Sequence, residues 1–376
     1  MTKHLHIVAF DLPYPPNYGG STDMFFKLRA FFNLDIKVTL HVYLYGSKKP
    51  SRELREEVYA IYYYPRRKYN PFAGKLPFIV SSRSSEKLLK RLSADDAPIL
   101  FEGLHTTRYL NDPLLEKKRK IVRAHNVEHH YYEALALAEE RWWKTLFFKT
   151  EARKLKIYER VLNFAQGIAG ISPMETEYFQ SEYNNATYIP AFHSNERVKS
   201  LNGSGDYILY HGNLSVPENN RAALYLAQEV FPKTSMRSII AGSQPSKSLQ
   251  KAVAQHEQIE LVADVAAEHI LELISNAHAN VLVTFQSTGI KLKLLNSLYR
   301  GRFVVANRPM VEETGLESLC TIANTPSEMV KLIDELRDKI FSEEILAHRE
   351  QVLGSTFQND VNARKLARML FDEPFE

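Results

Sequence analysis

Lys291 and Lys293 stand one residue apart where an apolar run gives way to a predicted helix. Val281-Leu282-Val283-Thr284-Phe285 has the length and β-branched content of a strand. Gly289 breaks it. Leu292, Leu294, Leu295 and Leu298 supply the apolar positions of the helix, and Gly301 ends it before Phe303-Val304-Val305 opens another strand. Two ammonium groups at the top of a strand, beside the positive end of a helix, suit a phosphate-bearing ligand. Lysines in a first helical turn are also commonly solvated, so spacing alone leaves both readings open.

Other chemistry-bearing residues also fall at predicted strand ends. Arg123-Ala124-His125-Asn126-Val127-Glu128 closes one strand. A histidine there can hydrogen-bond a hydroxyl or carry a proton, or it can be structural. His129 and His130 follow, but no cysteine or evident third ligand accompanies them, so no metal site is expected. Gly19-Gly20 follows the first strand and lets backbone approach a ligand, with Ser21 or Thr22 as the expected helix cap. Gly212-Asn213 ends the strand at Tyr207–Tyr210, and Pro217 opens the next helix. Ala241-Gly242-Ser243 and Val262-Ala263-Asp264 end two more strands. They read either as backbone walls for a nucleotide base or as simple turns.

These positions need a frame of alternating strands and helices. In the first half, strands are predicted at His6–Phe10, Val38–Tyr45, Ala60–Tyr64, Ile99–Glu102, Lys120–Arg123 and Gly167–Ile171. Helices are predicted near Thr22–Asn33, Ser84–Leu92 and Tyr131–Leu162. In the second half, strands are predicted at Tyr207–Tyr210, Ser238–Ile240, Ile259–Val262, Asn280–Phe285, Phe303–Ala306 and Cys320–Ile322, again with helices between. Repeated βα units imply an α/β fold with parallel sheets wrapped by helices, which bind ligands at the carboxyl ends of their strands.

A polar stretch, Ser200-Leu-Asn-Gly-Ser-Gly-Asp206, separates the two alternations. The expected division is 1–190, a linker at 191–206, and a second domain at 207–356. Asn359–Phe371, within 357–376, is an amphipathic helix candidate.

The 376 residues suit two domains, and 44% hydrophobic with 24% charged residues is a globular balance. A single cysteine, Cys320, excludes an internal disulfide framework and fits a reducing compartment. The N-terminal apolar run is too short for a signal peptide, and no window approaches a membrane span. A cytoplasmic protein is expected. Residues 1–200 hold 31 Lys+Arg against 22 Asp+Glu, and the remainder is net acidic. With no nucleic-acid motif present, the basic half points to an anionic membrane surface or a lipid-phosphate acceptor. Tyr62–Phe72 mixes bases with aromatics and reads equally as a membrane-interface segment or a strand end with a solvated loop. Trp142-Trp143 with Phe147-Phe148 reads as helix core.

The wording of these segments resembles GT-B glycosyltransferases, especially the large retaining family 4. Gly289-x-Lys291-x-Lys293-x-Leu, followed by Leu298-x-x-Gly301-x-x-Val304-Val305, is similar to that family's donor-binding segment. The order His125-Asn-x-Glu128, Tyr131-Tyr132, Arg141-Trp-Trp-Lys144, Glu151, Tyr158-Glu159 and Ile171-Ser-Pro-x-Glu175 resembles the family's first domain. Two positions depart from it. Asn296 stands where the family usually has Glu, and Thr288 where it often has a second acid.

The resemblance implies two Rossmann-like domains facing a cleft, with the last helix crossing back to the first domain. It implies transfer of a sugar from a nucleotide diphosphate sugar to a glycan or lipid-linked acceptor, with retained configuration and without metal. No cofactor is implied beyond that co-substrate. Lys291 and Lys293 would neutralise the leaving phosphate. His125 would orient the donor sugar, and Asn296 would contact the ribose. Gly19, Gly20, Gly212, Asn213, Gly242 and Gly289 would line the nucleotide. The Gly212–Asn220 loop lacks the basic residue many relatives carry, which throws the phosphate charge onto the two lysines. A nucleotide-sugar epimerase and a non-catalytic GT-B binding protein are the competing readings.

Overall fold

A computed structural model describes residues 3–45, 51–67, 74–139, 141–285 and 291–373. The chain divides into two compact units. One comprises Met1–Ser194 with Thr356–Glu376, the other Asn195–Ser287 with Lys291–Ser355.

The first unit holds β1 (His4–Ala9), β2 (Lys37–Leu44), β3 (Ala60–Pro65), β4 (Ile99–Glu102), β5 (Lys120–Ala124), β6 (Gly167–Gly170) and β7 (Ala186–Tyr188). They form one parallel sheet in the order β3-β2-β1-β4-β5-β6-β7. The inner strands are buried on both faces, which is why they read as continuous apolar runs. The sheet grows outward on one side through β2 and β3, and on the other through β5, β6 and β7. The order reverses between β1 and β4.

The second unit holds β8 (Tyr207–His211), β9 (Arg237–Gly242), β10 (Ile259–Ala263), β11 (Ala279–Leu282), β12 (Phe303–Ala306) and β13 (Thr321–Ile322). These are also all parallel, in the order β10-β9-β8-β11-β12-β13. The reversal here lies between β8 and β11. Each unit is thus a doubly wound α/β sheet, and each reversal is a place where ligands are bound in such sheets.

Several expected elements are adjusted. The single helix expected over Tyr131–Leu162 is two helices, Glu128–Ala138 and Trp142–Tyr158, followed by a 3₁₀ turn at Glu159–Phe164. The break is held by the Glu139 carboxylate, which accepts from the Arg141 backbone N–H and its Nε. The strand expected to reach Phe285 stops at Leu282. Beyond it, the Thr284 N–H donates to Asn307 Oδ1 and the Phe285 N–H to Glu218 Oε1, so these donors leave the ladder. The helix expected from Thr22 starts at Gly19, capped by Tyr18. Ser21 therefore lies inside the first turn and accepts from the Tyr18 N–H at 3.2 Å, and Thr22 donates to the Pro16 carbonyl.

Three buried apolar clusters dominate the cores, one in the second unit and two on either face of the first unit's sheet. The helix Asn359–Phe371 belongs to the first unit. Its Ala363, Leu366, Ala367 and Leu370 are buried with Leu28 and Phe31 of the helix Gly19–Asn33. Among the described residues, no helix is long and apolar enough to cross a membrane.

Candidate functional site

In the second unit, the switch point is built by two helices. Pro217–Tyr225 follows the β8 turn, and Leu292–Arg300 has Lys291 at its N-cap and Gly301 at its C-cap. Arg349, buried on the helix Glu343–Thr356, donates to the carbonyls of Leu298, Gly301 and Arg302. It thereby ties down the carboxyl end of the lysine-bearing helix.

The Lys293 ammonium donates to Asn219 Oδ1 at 2.6 Å and lies 5.3 Å from the Tyr210 ring centre. It forms no ion pair with a carboxylate among the described residues. Burial, then the neighbouring Lys291 charge, pushes its pKa down to about 8, against the pull of Glu218. A desolvated ammonium with only a neutral partner is a place where an anion is strongly favoured.

Backbone approaches this ammonium closely. A Cβ on Gly212 would lie 3.5 Å from Lys293 Nζ and 3.3 Å from the Asn219 side chain. A Cβ on Gly242 would fall 1.8 Å from the Gly212 carbonyl oxygen, so only glycine fits at the end of β9. Asn213 knits this turn. Its Oδ1 accepts from the Ser215 hydroxyl at 2.6 Å and from Ser243 at 3.1 Å, and its carbonyl accepts from Asn219 Nδ2. His211, at the end of β8, lies 3.1 Å from Ser297 Oγ. Burial and the Lys293 charge push its pKa down to about 3, so it is neutral. Asn296 Oδ1 accepts from Asn195 Nδ2 at 2.9 Å, leaving its amide nitrogen without an acceptor among the described residues. Gly289 and Thr288 lie outside the described residues.

In the first unit, the strand ends at the switch point carry a buried ionic network. Asp23, Lys27, Glu102 and Arg123 are all fully buried. Lys27 Nζ lies 2.7 Å from Asp23 Oδ2 and 2.9 Å from Glu102 Oε1. Arg123 donates to Asp23 Oδ1 at 2.8 Å and to the carbonyls of Ile189 and Pro190. Burial opposes the Asp23 charge, yet Arg123 and Lys27 hold its carboxyl well below the usual range.

His125 follows β5 and is buried. Its Nε2 lies 2.9 Å from Glu102 Oε2, and its Nδ1 has no hydrogen-bond partner among the described residues. Phe10 packs edge-on against its ring. Asp23, Glu102 and His125 are close enough to share a metal ion. Lys27 and Arg123 already neutralise both carboxylates, so this donor set is an ion-pair network. Gly19 and Gly20 form the first turn of the helix that carries Asp23. A Cβ on Gly20 would press to 2.9 Å against the Phe10 ring.

Sequence reasoning passed over Asp23, Lys27, Glu102, His105 and Glu128 as a group. Signals were present. Asp23 and Lys27 are spaced i,i+4 in a phenylalanine-rich helix, and Glu102 ends an otherwise apolar strand. Glu128 is buried, and its Oε1 lies 3.6 Å from His105 Nδ1, neither atom having a hydrogen-bond partner among the described residues. Burial, then Glu175, raises the Glu128 pKa to about 8. A pocket of about 250 Å³ opens beside it, lined by Asn126, Tyr131, Met174, Glu175 and Tyr178 among others.

The basic–aromatic candidates also resolve. Tyr62 and Tyr64 are strand residues stacked near Arg91, and Arg66 packs against Tyr45 and Phe78. Residues 68–73 lie outside the described residues. The reading of Trp142 and Trp143 as helix core is overturned, because both are exposed. Glu151, Ala152 and Leu155 bury the opposite face of their helix instead.

Residues 205–339 match the family described as Glycosyl transferases group 1. The second unit is thus similar to a group 1 glycosyltransferase domain. The chain's fold is GT-B, as shared by solved structures that align over almost its whole length. TarM superposes with a TM-score of 0.67 at 10% identity, covering 98% of this chain and 99% of TarM. Anabaena Alr3699/HepE in complex with UDP and glucose superposes with a TM-score of 0.65 at 10% identity, covering 99% of this chain and 100% of that one. The Candida albicans trehalose-6-phosphate phosphatase N-terminal domain gives 0.64 at 11% identity, covering 99% and 97%. A Klebsiella pneumoniae protein described as an uncharacterized 44.6 kDa protein in the cps region is 24% identical, with 98% of each chain covered. The matched family region of this GT-B chain spans β8 to the helix Pro326–Leu336 and so includes Gly212, Asn219, Lys291 and Lys293.

Proposed function

We propose that this protein transfers a sugar from a nucleotide diphosphate sugar to a glycan or lipid-linked acceptor. The observation that carries the proposal is the Lys293 ammonium, half-buried at the second unit's switch point with a neutral amide as its hydrogen-bond partner. A diphosphate would supply the missing negative charge. The positive end of the helix Leu292–Arg300 and the glycine turn at Gly212 favour the same group.

In this reading the nucleoside diphosphate departs from the anomeric carbon. Lys293, with Lys291, stabilises the charge that develops on the leaving phosphate. The reading needs no metal, and the anomeric configuration is retained. Asn296 donates its free amide hydrogens to the ribose. His125 orients the donor sugar, with its ring fixed through Nε2 by Glu102. Gly242 and Asn213 shape the turn against which the nucleotide lies. We assign the acceptor to the first unit, where the pocket beside Asn126 and Glu175 offers aromatic and polar walls. The Klebsiella relative's cps description favours a role in surface polysaccharide synthesis.

Calorimetric titration with UDP, GDP and dTDP, followed by their sugars, tests this. One nucleotide should bind, and Lys293→Ala should weaken it about 10- to 100-fold, the worth of a charge-assisted phosphate contact. Lack of binding to all three would defeat the reading. Conversion of the donor to an epimer without acceptor would replace transfer by epimerisation.

A further inference from the structure

The helix Trp142–Tyr158 presents seven exposed residues: Trp142, Trp143, Leu146, Lys149, Arg153, Lys156 and Ile157. Their spacing of three and four places them along one side of the helix. Trp142 is 77% exposed, Trp143 51%, Leu146 53% and Ile157 72%, so large apolar side chains present at least half of their surface to water. The three charged residues among them are all basic, and none is ion-paired among the described residues. The helix's one carboxylate, Glu151, points the other way. It is buried and accepts from the Phe78 N–H. Leu137, at the end of the preceding helix, adds a further exposed apolar side chain.

Exposed tryptophans are costly in solution unless something covers them. The exposed charges of this helix are all basic, which identifies that cover by charge. Indole rings and aliphatic side chains enter the headgroup boundary of a bilayer, while Lys and Arg stems lie along it and keep their charges at the lipid phosphates.

We propose that the outward face of the helix Trp142–Tyr158 is a docking surface for an anionic phospholipid bilayer. The helix lies in the membrane plane. Trp142, Trp143, Leu146 and Ile157 insert, and Lys149, Arg153 and Lys156 contact lipid phosphates. This surface is independent of nucleotide binding.

The chain contains only two tryptophans, Trp142 and Trp143, so its indole fluorescence reports on this face alone. The full-length protein should show a blue-shifted emission on titration with phosphatidylcholine vesicles containing 30% phosphatidylglycerol. Pure phosphatidylcholine vesicles should leave the emission almost unmoved. Brominated acyl chains should quench it. Lys149→Glu and Arg153→Glu, both at exposed positions, should each reduce partitioning at least roughly fivefold at low salt. Trp142→Ala with Leu146→Ala should abolish co-sedimentation with the anionic vesicles while nucleotide binding stays unchanged. An emission unmoved by anionic vesicles overturns the proposal. So does an equal shift with neutral ones, or a shift that grows with protein concentration alone and marks pairing of two copies.

Discussion

The Lys293 ammonium lies 2.6 Å from Asn219 Oδ1, and the Asn219 amide nitrogen in turn donates 2.9 Å to the Asn213 carbonyl. Asn219 thus bridges the cationic helix and the turn that follows β8. Lys293 gains a hydrogen bond that fixes its position without neutralising its charge, which leaves that charge for a ligand.

The depressed Lys293 pKa gives nucleotide binding a pH dependence. The ammonium is present below about pH 8 and lost above it, so affinity for a nucleoside diphosphate should fall as pH rises from 7 to 9. The limiting slope is about tenfold per pH unit above the transition. Lys293→Arg keeps its charge across this range and should flatten the profile wherever it binds. Titration calorimetry at pH 7, 8 and 9 measures it. The stability effect has the opposite sign. Between about 8 and the ordinary lysine value the unfolded chain binds more protons, so the fold gains stability as pH rises.

Glu128 makes a separate prediction. Its folded pKa, about 8, lies above the ordinary value of 4.5. Between these values the folded protein holds a proton that the unfolded chain has released, so stability should decline as pH rises from 5 to 8. Glu128→Gln imitates the protonated side chain and should remove most of that decline. Urea midpoints for both proteins at pH 5, 6, 7 and 8 check this, and parallel curves would contradict it.

Asp23 and Arg123 form a buried pair, and removing one leaves the other uncompensated. Asp23→Ala and Arg123→Met should each cost about 3–5 kcal/mol of stability. Combined, they should cost clearly less than the sum, because the pair shares one interaction. Chemical denaturation of the four proteins of the cycle tests the coupling.

Gly242→Ala should destabilise the second unit by about 1–3 kcal/mol through overpacking against the Gly212 carbonyl. It should also weaken nucleotide binding, since the turn that must move carries Gly212 and Asn213. Unaltered affinity would separate that turn from the ligand.

The sheet frame was legible because inner strands such as Ile99–Glu102 and Phe303–Ala306 are short, wholly buried apolar runs with matching turns. β7 was not, since a three-residue strand at an edge with one exposed position leaves no pattern. The lysine helix was legible through its leucines and Gly301. The partner that holds Lys293 was not, because Asn219 lies 74 residues away in sequence. The ionic network around Asp23 was hidden for the same reason: its members lie on one helix and two strands, and only the fold brings them together. Trp142 and Trp143 misled because paired aromatics ordinarily mark a core. The helix is instead oriented by Glu151 and Leu155, whose burial turns both tryptophans outward.

The helix Asn359–Phe371 contributes Leu366 and Leu370 to a core whose members outside that helix lie between Leu5 and Phe192. During synthesis the first sheet emerges early yet lacks one wall of its core until Asn359–Phe371 is released. The second unit, continuous within its own stretch of chain, can close first. The earlier-made half is therefore the later-finished one, and its apolar surface must wait, shielded or exposed, until Asn359–Phe371 has been made.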